Sequence, residues 1–257
     1  MNGAFYIGAT GLSAQQRALD VVANNIANLN TPGYKRTQAR FAELVAPQAN
    51  PLDPSASVGQ ATSAMLGVSA DMSPRDFTQG PLTLTGRPMD LAIDGTGFIE
   101  LVGPAGQTLL WRGGSLQVNN DGYLAAANGM PLKAMISPPA GTTALTIGQD
   151  GKVQATVGGE ADPRSVGQID LVQVKDLMSL SALDGGLFQP ANDRDVTDSV
   201  PGEEGAGVLR QGAMEASNVQ LTDEMVSLLL MQRAYSANAQ VVQAGDELMS
   251  IANSLRR

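Results

Sequence analysis

Several residues of this chain have types and spacings that chemistry uses. Asp94-Gly95-Thr96-Gly97 carries two of the glycines with which a loop cradles phosphate. Asp94 with Glu100 offers paired carboxylates of the kind that hydrolyse glycosides, and Asp193, Asp195 and Asp198 alternate as Ca²⁺ ligands do. Trp111-Arg112, with the single tryptophan, is a candidate platform for stacking a sugar. Each falls short of what its chemistry requires. The glycine loop lacks a third glycine, a following helix and a phosphate-binding lysine, so it reads as a tight β-turn. The aspartates lack the glycine and terminal glutamate of an EF-hand loop and read as acidic surface. A lone tryptophan among β-type runs reads as core. No histidine and no cysteine is present, which removes Cys/His zinc sites, thiol nucleophiles and Ser-His-Asp triads. The sequence assembles no active site, and no catalytic, cofactor-binding or metal-binding residue is expected.

The remaining unusual side chains are the carboxamides of Asn24, Asn25 and Asn28, in the stretch Ala23-Asn-Asn-Ile-Ala-Asn-Leu-Asn-Thr-Pro-Gly-Tyr-Lys35. Asn is a mediocre helix former because its amide competes with the backbone for hydrogen bonds. Two readings stand: a solvated face before a helix end, or amides that bond to neighbouring subunits. Thr31-Pro32-Gly33 cannot continue a helix, so the stretch stops one.

The elements that position these residues follow from periodicity. From about residue 5 to 29, Leu12, Leu19 and Ile26 recur seven apart, with Val22 and Leu29 completing an apolar seam. A second long helix is predicted from about 219 to 255. Leu228, Met231, Tyr235, Val242 and Met249 lie along it, with Asp223 and Glu224 in the first turn, where a helix dipole favours acids. Between the helices, residues 36–76 read as an extended connector, with little periodicity from Pro47 to Ser69. Short β-type runs extend from Phe77 to Val174, separated by the turn-forming pairs Asp94-Gly95, Asp121-Gly122 and Asp150-Gly151. Residues 177–207 read as loop-rich.

The expected fold is α+β. Terminal helices from residues 1–35 and 212–257 pair as a coiled-coil-like module and bracket an all-β domain at 77–211. With 43% hydrophobic residues but 4% aromatics and 29 glycines, the chain predicts light packing and many turns. A net charge of −9 without a Lys/Arg cluster argues against a nucleic-acid partner. No apolar run reaches membrane-spanning length, and residues 1–19 lack the basic start of a cleavable secretory signal.

Five motifs, in order, resemble those of the bacterial flagellar rod and hook protein family. They are residues 23–35, Gln79-Gly-Pro-Leu-Thr-Leu-Thr-Gly-Arg-Pro-Met-Asp-Leu-Ala-Ile-Asp-Gly-Thr-Gly-Phe98, Leu145-Thr-Ile-Gly-Gln-Asp-Gly-Lys-Val153, Gly212-Ala-Met-Glu-Ala-Ser-Asn-Val219 and Gln232-Arg-Ala-Tyr235. Ile99 departs from a usual Phe, and Leu110-Trp-Arg-Gly113 from Tyr-[Thr/Ser]-Arg-x-Gly. The chain's length resembles the distal rod member, with the large proximal-rod subunit as runner-up.

The resemblance implies a structural subunit of the drive shaft rather than an enzyme. Such a subunit is exported without a cleaved signal to the periplasmic basal body, where it polymerises helically around the export channel. Implied partners are further copies of itself, other rod subunits, the hook protein, the P- and L-ring proteins and the export apparatus, without membrane insertion. On this reading Leu12, Leu19, Val22, Ile26 and Leu29 form one seam. Leu228, Met231, Tyr235, Val242 and Met249 form the other, while Asn24, Asn25 and Asn28 bond between subunits. A charge at Val242 is then expected to block polymerisation. The rival readings are a secreted wall-active enzyme and a β-domain adhesin.

Overall fold

The computed structural model describes residues 2–45, 65–158, 162–203 and 205–254. They form two compact units. One comprises Met1–Ala27, Thr37–Arg75 and Gln220–Arg257; the other comprises Asn28–Arg36 and Asp76–Val219.

The first unit contains helix α1 (Asn2–Ala27), the antiparallel hairpin β1 (Ala39–Val45) and β2 (Met65–Met72), and, after the strands of the other unit, helix α2 (Leu221–Ser254). The helices run antiparallel, with Gly8 against Val242, Gly11 against Asn238, and Asn25 bonded to Glu224. The buried face of α1 is Gly8, Gly11, Ala14, Ala18, Val21, Val22 and Asn25, spaced at the three- and four-residue intervals of one helix face. These residues are small because the helices approach closely: a Cβ at Gly8 would lie 2.6 Å from Val242 Cγ2. Asp223 and Glu224 occupy the first turn of α2 as its sequence predicts.

The second unit holds the remaining strands. In chain order these are β3 (Leu82–Leu84), β4 (Asp90–Asp94), β5 (Phe98–Val102), β6 (Thr108–Trp111), β7 (Gly113–Val118), β8 (Leu124–Ala126), β9 (Thr142–Ile147) and β10 (Lys152–Val157). They continue with β11 (Arg164–Gln168), β12 (Leu171–Val174), β13 (Ser181–Leu183), β14 (Leu187–Gln189), β15 (Val196–Ser199), β16 (Val208–Gln211) and β17 (Ala213–Glu215). They build a six-stranded sheet, order β13-β14-β6-β5-β12-β15, and a four-stranded one, β16-β4-β7-β8. A three-stranded sheet, β11-β10-β9, and the pair β17-β3 complete the unit.

Alternation along the strands buries both faces of the large sheet. Ile99, Leu101, Leu109, Trp111 and Leu171 enter the main core with Leu91, Ile93 and Leu124. The intervening Phe98, Leu110 and Val172 join Phe188 on the opposite face. There Phe77, Phe98 and Phe188 meet edge to face, with ring centroids 5.1 to 5.8 Å apart.

The α+β class stands as expected from the sequence, but three assignments change. Residues 28–35 and 212–219 belong to the β unit instead of the helical module, because β17 pairs with β3 and the 28–36 loop bonds to the strand that follows Gly212. The connector at 36–76 holds a hairpin, whose strands pair with each other across a long sequence gap that a local window does not span. The order of the 47–69 segment lies outside the described residues as far as 64. Finally, the loop-rich stretch 177–207 carries β13, β14 and β15, which at three or four residues are too short to give a periodic signal.

Candidate functional site

The second unit is pinned by a buried ionic cluster drawn from three separated motifs. The chain leaves α1, turns at Asn28–Thr31 and passes Pro32 to Gly33, whose φ of +69° favours glycine. That turn sends Lys35 inward. Its Nζ donates to Glu215 Oε1 at 2.6 Å and to the Thr78 carbonyl at 2.8 Å. The other carboxylate oxygen of Glu215 accepts from Arg112 Nε at 3.1 Å and lies 3.0 Å from Arg112 Nη2. Gly80 N–H adds a bond to Oε1 at 2.9 Å. All three charged residues are within 4% of full burial. Two cations and one carboxylate are thus removed from water, which is tolerable only because the remaining donors reach carbonyls.

The carbonyls that Arg112 reaches come from the Asp94-Gly95-Thr96-Gly97 loop. Arg112 Nη1 donates to Gly97 O at 2.6 Å and Nη2 to Gly95 O at 3.0 Å. The loop holds φ of +116° at Gly95 and +119° at Gly97, and its carbonyls face the Arg112 guanidinium. It is an arginine cradle inside the chain. The guanidinium also lies 5.6 Å from the Phe98 ring centroid. Asn218 extends the clasp. Its Oδ1 accepts from Arg36 N–H at 2.7 Å while Nδ2 donates to the Asp76 carbonyl at 2.8 Å and to the Thr78 carbonyl at 3.1 Å. Gly80 sits so close to Ala216 O that no side chain would fit there. Burial pushes the Lys35 ammonium below its ordinary value, and Glu215 opposes that fall.

In the first unit a smaller polar joint involves Asn25. Its Nδ2 donates to the Thr37 carbonyl at 2.7 Å and to Glu224 Oε2 at 3.2 Å, and its Oδ1 accepts from Thr37 N–H at 3.1 Å. Asn25 and Glu224 are both about 1% exposed. Asn25, expected to bond between subunits, makes these bonds inside the chain. Asn24 is exposed and lines a cleft of about 580 Å³ with Arg17, Asp20 and Asp71. Asn28 is half-buried and accepts from Thr31 Oγ1 at 3.1 Å.

Of the predicted seams, Val22 is buried, and Leu12, Leu19, Ile26 and Leu29 are half-buried. On α2, Leu228, Met231 and Val242 are half-buried, whereas Tyr235 and Met249 are each 41% exposed. The seven-residue leucine spacing therefore flanks the helix contact, whose centre is the Gly/Ala stripe. Val242 packs on Gly8 within the subunit, so a charge there would disturb the helix pair before it met any neighbour.

The other candidate chemistry resolves into structure. Asp94 pairs with Arg210 at 2.8 Å, Glu100 with Lys133 at 2.8 Å, and Asp198 with the same lysine at 3.1 Å. The hydrogen bond to Glu100, outweighing partial burial, raises the Lys133 ammonium above its ordinary value. Trp111 is core. Among the described residues no group of three acids converges on a metal position. Sequence reasoning missed Lys35, Arg112 and Glu215 as a set, although each stands in a quoted motif. Their signal was a single charge embedded among glycines and apolar residues.

The three segments that meet in the clasp also fall beside or within regions matching known families. Residues 5–35 match the family described as Flagella basal body rod protein, and 210–255 match Flagellar basal body rod FlgEFG protein C-terminal. Residues 92–155 match Flagellar hook protein FlgE/F/G D1 domain. The chain is 35% identical over 254 residues to the flagellar basal-body rod protein FlgG of Caulobacter vibrioides, covering 96% of this chain and 97% of that one. This chain belongs to the flagellar basal-body rod protein family. Similar members include FlgG of Bacillus subtilis, 31% identical with 98% of each chain covered. FlgF of Caulobacter vibrioides is 34% identical, covering 96% of this chain and 95% of that one. As a member of the rod family the chain is a structural subunit of the flagellar rod, not an enzyme. The clasp pins the β unit of such a subunit.

Proposed function

We propose that this rod subunit polymerises helically through its two terminal helices, which pair in a coiled-coil-like module and form an inner tube around the export channel. The β unit then faces outward, toward the P- and L-ring proteins. The observation that carries this reading is a second apolar stripe on α2, on the side away from Gly8 and Gly11. Val226, Leu229, Leu230, Val241, Leu248 and Ile251 recur there at helical spacing, each more than half exposed. An apolar stripe of this length is covered when the helix meets another helix. On α1 the half-buried Leu12, Leu19 and Ile26 extend the contact, and exposed Asn24 supplies a carboxamide for it.

The subunit is exported to the periplasm without a cleaved signal through the flagellar export apparatus, and joins other rod subunits and the hook protein. Assignment to the distal section is supported by the full-length likeness to proteins named FlgG. The comparable likeness to a FlgF makes the large proximal-rod subunit the second reading. Placing Asp at Val241 is expected to abolish polymerisation while the β unit melts normally, because an unpaired charge in an apolar contact costs several kcal/mol, ~3 or more. A normal polymer from that variant would refute the helical reading. Electron microscopy of basal bodies from a gene deletion separates the two rod positions. A shaft that stops before its outer section, without a hook, indicates the distal subunit, and loss of the inner section the proximal one.

A further inference from the structure

Strand β9 is the outer strand of the three-stranded sheet, paired on one side with β10. Its sequence, Thr142-Thr-Ala-Leu-Thr-Ile147, has no charge, no proline and no glycine. Uncharged six-residue edges rich in β-formers are templates for pairing with another chain. Thr143, Ala144 and Thr146 are exposed along it, beside an open groove of about 570 Å³ that includes the exposed Leu84.

The side chain of Gln211, at the end of β16, is set against that edge. Its Nε2 donates to the Leu145 carbonyl at 2.7 Å, and its Oε1 accepts from Ile147 N–H at 3.0 Å. A carbonyl and the N–H two residues later are the groups that one residue of a neighbouring parallel strand would engage. The carboxamide thus makes the bonds of a strand with a single side chain. A further bond from Nε2 to the Pro88 carbonyl, at 2.7 Å, anchors it from the other side.

We propose that Gln211 is an edge stop. It occupies the pairing positions of β9, prevents strand addition by a second copy of the chain, and so confines self-association to the terminal helices. The inference rests on the reading of helical polymerisation above. A Leu or Met of similar size fills the space without the bonds and releases Leu145 O and Ile147 N–H to another strand.

The test uses full-length Q211L, alone and combined with V241D or T146K. In Q211L/T146K, where added strands are suppressed, amide exchange at Ile147 should be about tenfold faster than in T146K alone, the scale of one lost hydrogen bond, while Ala155 inside β10 is unchanged. Q211L should also form β-rich oligomers that persist with V241D and are suppressed by T146K, which charges the exposed edge. Unchanged exchange at Ile147, oligomers that vanish with V241D, or oligomers untouched by T146K would each overturn the edge stop. If Q211L loses protection throughout the β unit, Q211M, which retains side-chain length, is judged by the same outcomes. Polymerisation of V241D with Gln211 intact fails the helical reading separately, and Ile147 exchange in Q211L/T146K still decides the edge.

Discussion

In the β unit Leu91, Ile93, Leu101 and Leu124 are enclosed completely by the unit's own sheets. On α2, by contrast, Leu229, Leu230, Val241 and Leu248 stand more than half exposed, and the face of α1 that meets α2 is built on Gly8, Gly11 and Ala14. One unit closes its core within the chain, while the other makes a thin internal contact and leaves its larger apolar side chains outside. Long helices without an enclosed apolar face draw little stability from propensity alone. The difference teaches that the β unit is a finished fold, whereas the helical unit leaves an apolar face open, as the proposed helical assembly requires.

The largest break in this comparison is expected at Glu215. Glu215→Ala removes the carboxylate shared by the buried Lys35 and Arg112 and should destabilise the β unit by about 3–5 kcal/mol. The readout is a fall in its melting temperature followed by the fluorescence of buried Trp111, and an unshifted melt would dismiss the clasp. A smaller effect is expected from Lys35→Met, because Glu215 retains Arg112. The loss is ~1.5–3 kcal/mol, the scale of a charged hydrogen bond, in the same melt.

Gly8→Leu sharpens the contrast from the other side. It overpacks the site against Val242 and should weaken the helix pair by ~1–3 kcal/mol. Helical circular dichroism should fall while the β-unit melt stays in place; equal losses in both would show that the units are not distinct. The smallest effect concerns acid. Burial works against the Asp90 carboxylate, but hydrogen bonds from Thr85 and Arg87 outweigh it and hold the group below its ordinary value of 3.8. Its contribution to stability is therefore complete above 3.8 and is lost as pH falls through the lower folded-state value. Thr85→Val should reduce that acid-dependent loss, measured by melts across the acid range.

Much of the architecture was legible because helical and β periods differ sharply. The chain changes from the spacing of Leu12 and Leu19 to the alternation of Phe98–Val102, and back again after Val219. The contact face of α1 was not legible. Periodicity counts large apolar residues, whereas close helix approach selects Gly8, Gly11, Ala14 and Ala18. The clasp was hidden for another reason: Lys35 and Glu215 lie 180 residues apart, and no local pattern pairs them. Asp94-Gly-Thr-Gly97, expected as a tight β-turn, is a bend that carries the chain from β4 in one sheet to β5 in another, and its use as a carbonyl cradle for Arg112 needed the fold.

The central claim, a finished β unit beside helices completed by neighbours, is tested most directly by residue-resolved amide hydrogen exchange on the soluble subunit and on its polymer. The account predicts that β4, β5, β6 and β12 are protected in both states, whereas α1 and α2 exchange rapidly in the subunit and become protected on assembly. Helices as protected in the isolated subunit as the β unit, with no gain on polymerisation, would contradict it.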